Sequence, residues 1–452
     1  MVMTPQPNIG SLASLRILLI ADSPSDAAVS QTFRFALGAW AKARGLELEE
    51  AIVDDFTVKP CVGCLACYRS TGGVCVHRDA FPKIRERARY SDCVVLLSEI
   101  TYGQSSVAIK QVIDKGIGTP WGMCGPFPAQ FEVGYGRNLT VEEISCFLDI
   151  VRRHSGKAEE IHRQLMGRAA DACAIQKDDD IQSALERLER LLEEKIKPRK
   201  RSMGLHARRI PEEKVYESGN SIGPSAVKQP ETDPHARFGT EKSLCLINGS
   251  LRGRQSTSHF LLNTLEIQLG TAQQRVVREA LSLTKVTSGL ADLAANLSCY
   301  DTLVIALPLF CYCVPSGLLR LLVELGKRPH TGKQPVLFVI VYSGFPLPRA
   351  SREALRVLHI FAAKNNWIWG GSLVAGGGMA FKYTENLPLL GHRLDAPFSI
   401  LASAVRGEQD IPPDLSVQPP VPRVLTDFIR NSMDRTAARK AERLKRTAKA
   451  SN

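Results

Sequence analysis

Two stretches of the chain gather side chains able to do chemistry. The first is Cys61-Val62-Gly63-Cys64-Leu65-Ala66-Cys67, followed by Cys75 after a short loop. Cysteines every third residue around a glycine can turn three thiolates toward one centre, and a fourth returns after the loop. Four thiolates are the donor set of a 4Fe-4S cluster. Zinc accepts four sulfurs as well, or three with His77, and uncommitted thiols are the third reading. The second stretch is 244–260, LCLINGSLRGRQSTSHF. An apolar run stops at Asn248-Gly249-Ser250, a polar loop holds Arg252, Gly253 and Arg254, and Ser256-Thr257-Ser258 lead into a helical pattern. This is the order strand, phosphate-sized loop, helix. A helix start offers unpaired backbone N–H groups and the positive end of the macrodipole, so an anion is stabilised there. The hydroxyls can donate, and an arginine adds charge. An ordinary N-capped helix would use the same Ser and Thr residues.

The surrounding elements decide what these stretches can do. In the first half, strands are expected over 15–21, 46–53, 92–98 and 131–134, and helices over 30–44, 81–90, 106–115, 141–165 and 180–196. Phe33, Leu37 and Trp40 recur at helical spacing in the first of these helices. From 197 to 241 apolar residues thin out, which marks a linker. The same grammar then restarts. Strands are expected at 243–248, 301–307, 334–342 and 367–373, with helices at 258–269, 316–327 and 349–365. ILLIADSPSDAAVSQTF lies over LCLINGSLRGRQSTSHF, and VVLLSEITYGQSSVAIKQVIDKG over LVIALPLFCYCVPSGLLRLLVELGK. The chain therefore reads as a duplicated α/β unit, the first copy carrying the cysteine loop as an insert. Expected boundaries are a leader at 1–13, a first domain at 14–196, the linker, a second domain at 242–405, and a Pro-rich segment with a basic helix at 406–452. Alternating strands and helices imply two doubly wound parallel sheets with helices on both faces.

Composition removes several classes. A hydrophobic content of 44% with 23% charge is that of a globular protein, and no apolar run approaches the length of a membrane span. The first residues lack a charged n-region before an apolar core, so the twelve cysteines are expected to be reduced thiols or metal ligands in the cytoplasm. The net charge of +12 is concentrated at 195–209 and 435–449. Neither run carries interleaved aromatics, which favours a solvated linker and tail over nucleic-acid binding.

In doubly wound sheets, ligands bind outside the carboxyl ends of the strands. That rule selects the loops at 250–258, 308–312 and 343–345. An anion site, a Pro-aromatic turn and a small-residue turn with an aromatic suit a flat aromatic ligand bearing a phosphate. A strand ending in Asn-Gly-Ser, a Ser/Arg-rich loop, a later Pro-Leu-aromatic loop and a Ser-Gly-Phe after the next strand resemble the flavodoxin-like NAD(P)H-dependent FMN reductases. The resemblance covers about 242–380 and, more weakly, 15–136. It implies two tandem flavodoxin-like sheets and non-covalent FMN. Ser250, Arg252, Ser256, Thr257 and Ser258 would hold the phosphate. Leu309, Phe310 and Cys311, with Ser343, Gly344 and Phe345, would flank the isoalloxazine ring.

The implied activity is electron transfer from NAD(P)H or a ferredoxin-like donor to a small acceptor such as a quinone. A non-enzymatic electron carrier and a flavin-free interaction protein are the alternatives. The cysteine spacing resembles that of iron–sulfur flavoproteins, which would make Cys61, Cys64, Cys67 and Cys75 ligands of a 4Fe-4S cluster. The resemblance also implies dimers with flavins near the subunit boundary, so the repeat is expected to form that dimer within one chain, a homo-oligomer being the other option. In the first half the corresponding loop carries Asp22 and Asp26 and lacks the glycine and both arginines, which argues against FMN there.

Overall fold

The computed structural model of the chain describes residues 15–22, 27–69, 71, 75–116, 128–154, 170–196, 243–270, 276–328, 334–344, 348–377, 381, 391–413 and 415–418. The expected leader, the linker, the basic tail and Phe345 lie outside these residues, as does Asp26.

The first half runs β1 (Arg16–Asp22), α1 (Ala27–Ala43), β2 (Glu47–Val53), the single turn α2 (Ala66–Arg69), α3 (Phe81–Arg89), β3 (Cys93–Thr101), β4 (Gln104–Ser105), α4 (Val107–Gly116), β5 (Ala129–Tyr135), α5 (Val141–His154), β6 (Ala170–Ile175) and α6 (Asp179–Ile196). The second runs β7 (Leu244–Asn248), α7 (Thr257–Leu269), β8 (Val276–Ala280), α8 (Leu283–Ser288), α9 (Leu290–Leu297), β9 (Thr302–Pro308), α10 (Ser316–Gly326), β10 (Val336–Tyr342), α11 (Arg352–Lys364), β11 (Ile368–Ala375), α12 (Asp395–Arg406) and β12 (Ser416–Val417). The sheets are ordered β2-β1-β3-β5-β6, with β4 folded back antiparallel on β3, and β12-β11-β10-β9-β7-β8. Leaving aside the short β4 and β12, the order by strand sequence within each half is 2-1-3-4-5, the flavodoxin-like arrangement. The fold is two such doubly wound units in tandem.

Each sheet is covered on both faces because its central strands are apolar on both. In β1, Ile17, Leu19 and Ala21 meet Phe33, Leu37 and Trp40 of α1 and Leu188 and Leu192 of α6. Leu18 and Ile20 point the other way, onto Phe81 and Ile84 of α3 and Ile109 and Val112 of α4. Burying each such Leu or Ile contributes roughly 1.5–3 kcal/mol before entropy is counted. In the second sheet, Leu244 and Leu246 face α7 and α12, while Cys245 and Ile247 face α10 and α11.

The core on that second face does not stop at the domain edge. Val107 of α4 and Cys146 and Ile150 of α5 belong to it. The helices following the third and fourth main strands of one half thus pack on their counterparts in the other, α4 against α10 and α5 against α11. The Arg356 guanidinium of α11 donates to Glu142 (2.7 Å), Asp149 (2.8 Å) and Ser145 (3.2 Å) of α5, and Lys364 reaches Glu143 at 2.6 Å. Tyr102 stands edge-on to Phe361, with ring centroids 5.2 Å apart. The two halves form a pseudo-dimer within one chain.

Candidate functional site

The loop after β7 is built around a side chain that the motif reading passed over. Asn248 is buried at the strand's end. Its Oδ1 accepts the Ser250 N–H at 3.0 Å, while Nδ2 donates to the Gly253 carbonyl at 2.9 Å and to Ser256 Oγ at 3.1 Å. The Gly249 N–H donates to the Ala306 carbonyl at 2.8 Å, which holds the exit against β9. A Cβ there would stand 3.1 Å from that oxygen, so glycine is what lets the two backbones approach. The Asn-Gly pair at the strand's end was the available signal.

The five expected phosphate residues separate into distinct environments. Ser256 is the N-cap of α7: its hydroxyl accepts from the His259 N–H at 3.1 Å and donates to the Gly253 carbonyl at 2.6 Å. Arg252 and Arg254 are exposed on the rim. Ser250, Thr257 and Ser258 are buried, and Ser258 Oγ has no hydrogen-bond partner among the described residues. Tyr342, ending β10, sits beside Ser258 and Ser250. Burial pushes its phenol above the ordinary range against the influence of those hydroxyls, so it stays a neutral donor. A buried hydroxyl without a partner is costly unless something fills the role. At the start of a thirteen-residue helix, the group that fits is an anion with several acceptor oxygens.

The other two expected loops arrive at the same end of the sheet, because β10, β9 and β7 are adjacent. After β9, the Leu309 N–H donates to the Tyr342 carbonyl at 3.0 Å, and Phe310 and Cys313 pair across a two-residue turn. That turn places Cys311 at φ 49° and Tyr312 at φ 60°. Both residues carry a side chain in the left-handed region, which is uncommon and costs energy that neighbouring contacts must offset. Ser343 is buried and Gly344 exposed.

In the first half the same strand end is occupied differently. Asp22 stands one residue beyond the counterpart of Asn248, which is Ala21, at the position that Gly249 holds in the second half. Its carboxylate accepts from the Glu99 N–H at 2.7 Å and from the Tyr135 hydroxyl at 2.5 Å, Tyr135 being the counterpart of Tyr342. Burial pushes the Asp22 carboxyl up, opposed by hydrogen bonds from Ser106, Tyr135 and the Glu99 backbone. An acid of the chain's own thus accepts from the tyrosine that ends β5.

The cysteine insert is closed at its base by Asp79, whose carboxylate accepts from the Lys59 and Phe81 N–H groups and pairs with the buried Lys115. Within it, Cys61 is half-buried and burial pushes its thiol up to about 12, with Cys75 and Cys67 close enough to add to the effect. Cys64, however, is exposed. Among the described residues no group of three or more His, Cys, Asp or Glu side chains is arranged to hold a metal ion. The expected convergence of Cys61, Cys64, Cys67 and Cys75 on one centre is therefore not what this structure displays. Leu65, at φ 56°, turns the backbone between Cys64 and Cys67. The loop instead presses on the second half: a Cβ on Gly63 would lie 2.8 Å from Phe310 Cζ.

No protein-family model matches the chain, and a search of curated proteins finds no match. Solved structures similar to part of it include an NADPH-quinone reductase from P. pentosaceus, 17% identical over 36% of this chain and 97% of that one, with a TM-score of 0.28. General stress protein 14 from Treponema denticola, solved with FMN, is 18% identical over 36% and 99% of the two chains, TM-score 0.28. An FMN-dependent NADH-azoreductase from Bacillus anthracis, also solved with FMN, is 14% identical over 36% and 99%, TM-score 0.27. At these values the likenesses stand as observations, and nothing below is argued from them. Among the described residues no helix is long and apolar enough to cross a membrane.

Proposed function

We propose that the chain is an FMN-dependent oxidoreductase that passes electrons from NAD(P)H or a ferredoxin-like donor to a small acceptor such as a quinone, with the cofactor in the second domain. The observation that carries this reading is the buried, unpartnered Ser258 hydroxyl at the start of α7, beside Ser250 and Tyr342 and at the carboxyl ends of three adjacent strands. In this reading Ser250, Thr257, Ser258 and the first N–H groups of α7 hold the phosphate, and Arg252 screens it from the rim. Leu309, Phe310 and Cys311, with Ser343 and Gly344, would flank the ring; Phe345 lies outside the described residues. Bound FMN supplies the hydride and single-electron chemistry. The chain's own residues bind, orient and exclude water, and the Ser256 cap and Asn248 keep the loop shaped before the ligand arrives. The reading does not draw on the insert that carries Cys61, Cys64, Cys67 and Cys75.

The test is to titrate FMN into the purified chain, read by quenching of flavin fluorescence, and then assay NADH and NADPH oxidation with a quinone. Saturable binding at one FMN per chain with nucleotide-dependent quinone reduction supports the reading. Binding without turnover would reassign the chain as an electron carrier, and no binding would remove the flavin altogether.

A further inference from the structure

The interface between the halves is nearly two-fold in its elements but not in its chemistry. In the first half the positive-φ turn is Tyr102-Gly103 and in the second Cys311-Tyr312, each leading into an interface helix. Counting eight residues on from Tyr102 reaches Lys110 and from Cys311 reaches Leu319; counting twelve reaches Asp114 and Val323. Positions that are apolar in the second half therefore hold an ion pair in the first. That pair is fully buried, Lys110 and Asp114 being 1% and 0% exposed. Burying two charges costs several kcal/mol per ion unless geometry and extra hydrogen bonds offset it. The Leu and Val at the matching positions show that the interface can be built without it.

What distinguishes the two sides is where the pair points. Lys110 Nζ donates to the Phe310 carbonyl of the second half at 3.1 Å. Asp114 Oδ2 accepts the Ser316 N–H, the first of α10, at 2.7 Å, so a carboxylate from one domain caps a helix of the other. The Phe310 carbonyl opens the turn through Cys311 and Tyr312, and Ser316 follows that turn. The pair thus grips the strained cofactor-side turn at both ends, while Gly63 of the cysteine loop closes over the Phe310 ring. The positions that match by count, Leu319 and Val323, carry no charge. The buried pair is held against the Cys311-Tyr312 turn of the second half.

We propose that Lys110 and Asp114 are positioning residues for the cofactor cleft of the second domain, so that the first domain completes a site to which it contributes no ligand-binding loop. The inference rests on the FMN reading for its ligand, while the clamp on the turn stands on the contacts alone.

The experiment uses the full chain with Lys110→Leu and Asp114→Val together, which copies the residues the protein already uses across the pseudo-axis. The double variant is expected to unfold as cooperatively as the parent. Its FMN dissociation constant is expected to rise at least tenfold, with a shift in the visible bands of the bound flavin. Alkylation of Cys311 in the ligand-free protein, read on its peptide by mass spectrometry, is expected to speed up at least fivefold. An unchanged dissociation constant and spectrum with unchanged Cys311 alkylation overturns the proposal. If the parent chain does not bind FMN, the functional reading fails and the alkylation rate alone decides the clamp. Should the double variant not fold, Lys110→Met with Asp114→Asn keeps the volumes. If that chain also fails, the pair is a stability element of the interface and the positioning role is refuted.

Discussion

Replacing Asn248 by Asp puts a carboxylate at the strand end of the second domain, one residue before the position that Asp22 holds in the first. The side chain keeps its size, and one oxygen can still accept the Ser250 N–H. Both Nδ2 donations are lost, to the Gly253 carbonyl and to Ser256 Oγ. Each net hydrogen bond of this kind is worth about 1 kcal/mol. The carboxylate also adds a charge beside the anion site, and two unit charges even ~10 Å apart at an effective dielectric of ~20 repel by about 1.7 kcal/mol. The charge alone acts on binding directly, about 1.7 kcal/mol against FMN or roughly one decade in dissociation constant at 1.4 kcal/mol per decade, while the lost hydrogen bonds lower the stability of the loop in free and bound protein alike. Like Asp22, the new carboxyl is buried, so its pKa is raised and the charge is lost as pH falls. Flavin fluorescence titrations of Asn248→Asp at pH 7.5 and 5.5, with thermal unfolding as the control for folding, should give a large loss at the higher pH and partial recovery at the lower. A dissociation constant within threefold of the parent at pH 7.5 would refute the view that this loop is an anion site organised by Asn248.

Three further outcomes follow from the same contacts. Asp22, with its folded-state pKa raised by burial, contributes stability that is fully present below the unfolded carboxylate value and lost as pH rises through the folded one. Urea midpoints should accordingly show Asp22→Asn gaining on the parent between pH 4.5 and pH 8; a difference that moves the other way would contradict the assignment. The Arg356→Met change leaves Glu142 and Asp149 facing an apolar side chain. Both carboxylates are about a third exposed and can rehydrate, which holds the cost to about 2 kcal/mol and the expected fall in thermal midpoint to several degrees. A midpoint within one degree of the parent would show that the network does not hold the halves together. In timed alkylation of the native chain, exposed Cys64 should be modified well before Cys61, whose thiol burial pushes up to about 12. The reverse order would mean that the insert is arranged differently from its description here.

Several of these features were open to a reading of the sequence and others could not be. Central parallel strands such as RILLIAD and VLFVIVY are apolar on both faces, and their runs announce themselves. The edge strands β6, ADACAI, and β8, VVREA, carry small or charged residues, because one side of an edge meets solvent, and both escaped the apolar-run criterion. Of the cysteines on apolar stretches, Cys93, Cys146, Cys173 and Cys245 are buried, whereas Cys299 is exposed just beyond α9. That the loops after β7, β9 and β10 share one end of the sheet was legible because doubly wound topology places them by rule. The division of labour among the loop serines was not, since Ser, Thr and Asn serve equally as caps and as ligands and composition cannot separate the two. Least visible was the interface. Lys110, Gln111, Asp114 and Lys115 are polar residues of α4, yet all four are buried; Lys110 and Asp114 meet the Phe310 carbonyl and the Ser316 N–H of the second half, and periodicity within one helix carries no information about a second domain that covers it.

The distribution of charge across that interface explains why the two copies can differ. A symmetric homodimer uses one patch twice, so each copy must present every group and its complement. Here the α5 side supplies Glu142, Glu143 and Asp149, and the α11 side supplies Arg356 and Lys364, with Arg153–Glu353 running the other way. Two first domains pairing through this face would set acids against acids, and two second domains would set bases against bases. Joining the copies in one chain removes the requirement for self-complementarity, and with it the requirement that both strand ends remain open. Asp22 can then accept from Tyr135 within the first domain, while Tyr342 lies beside Ser258 and Ser250 in the second. The same release lets Lys110 and Asp114 arise on one side only, where the pair holds both ends of the Cys311-Tyr312 turn.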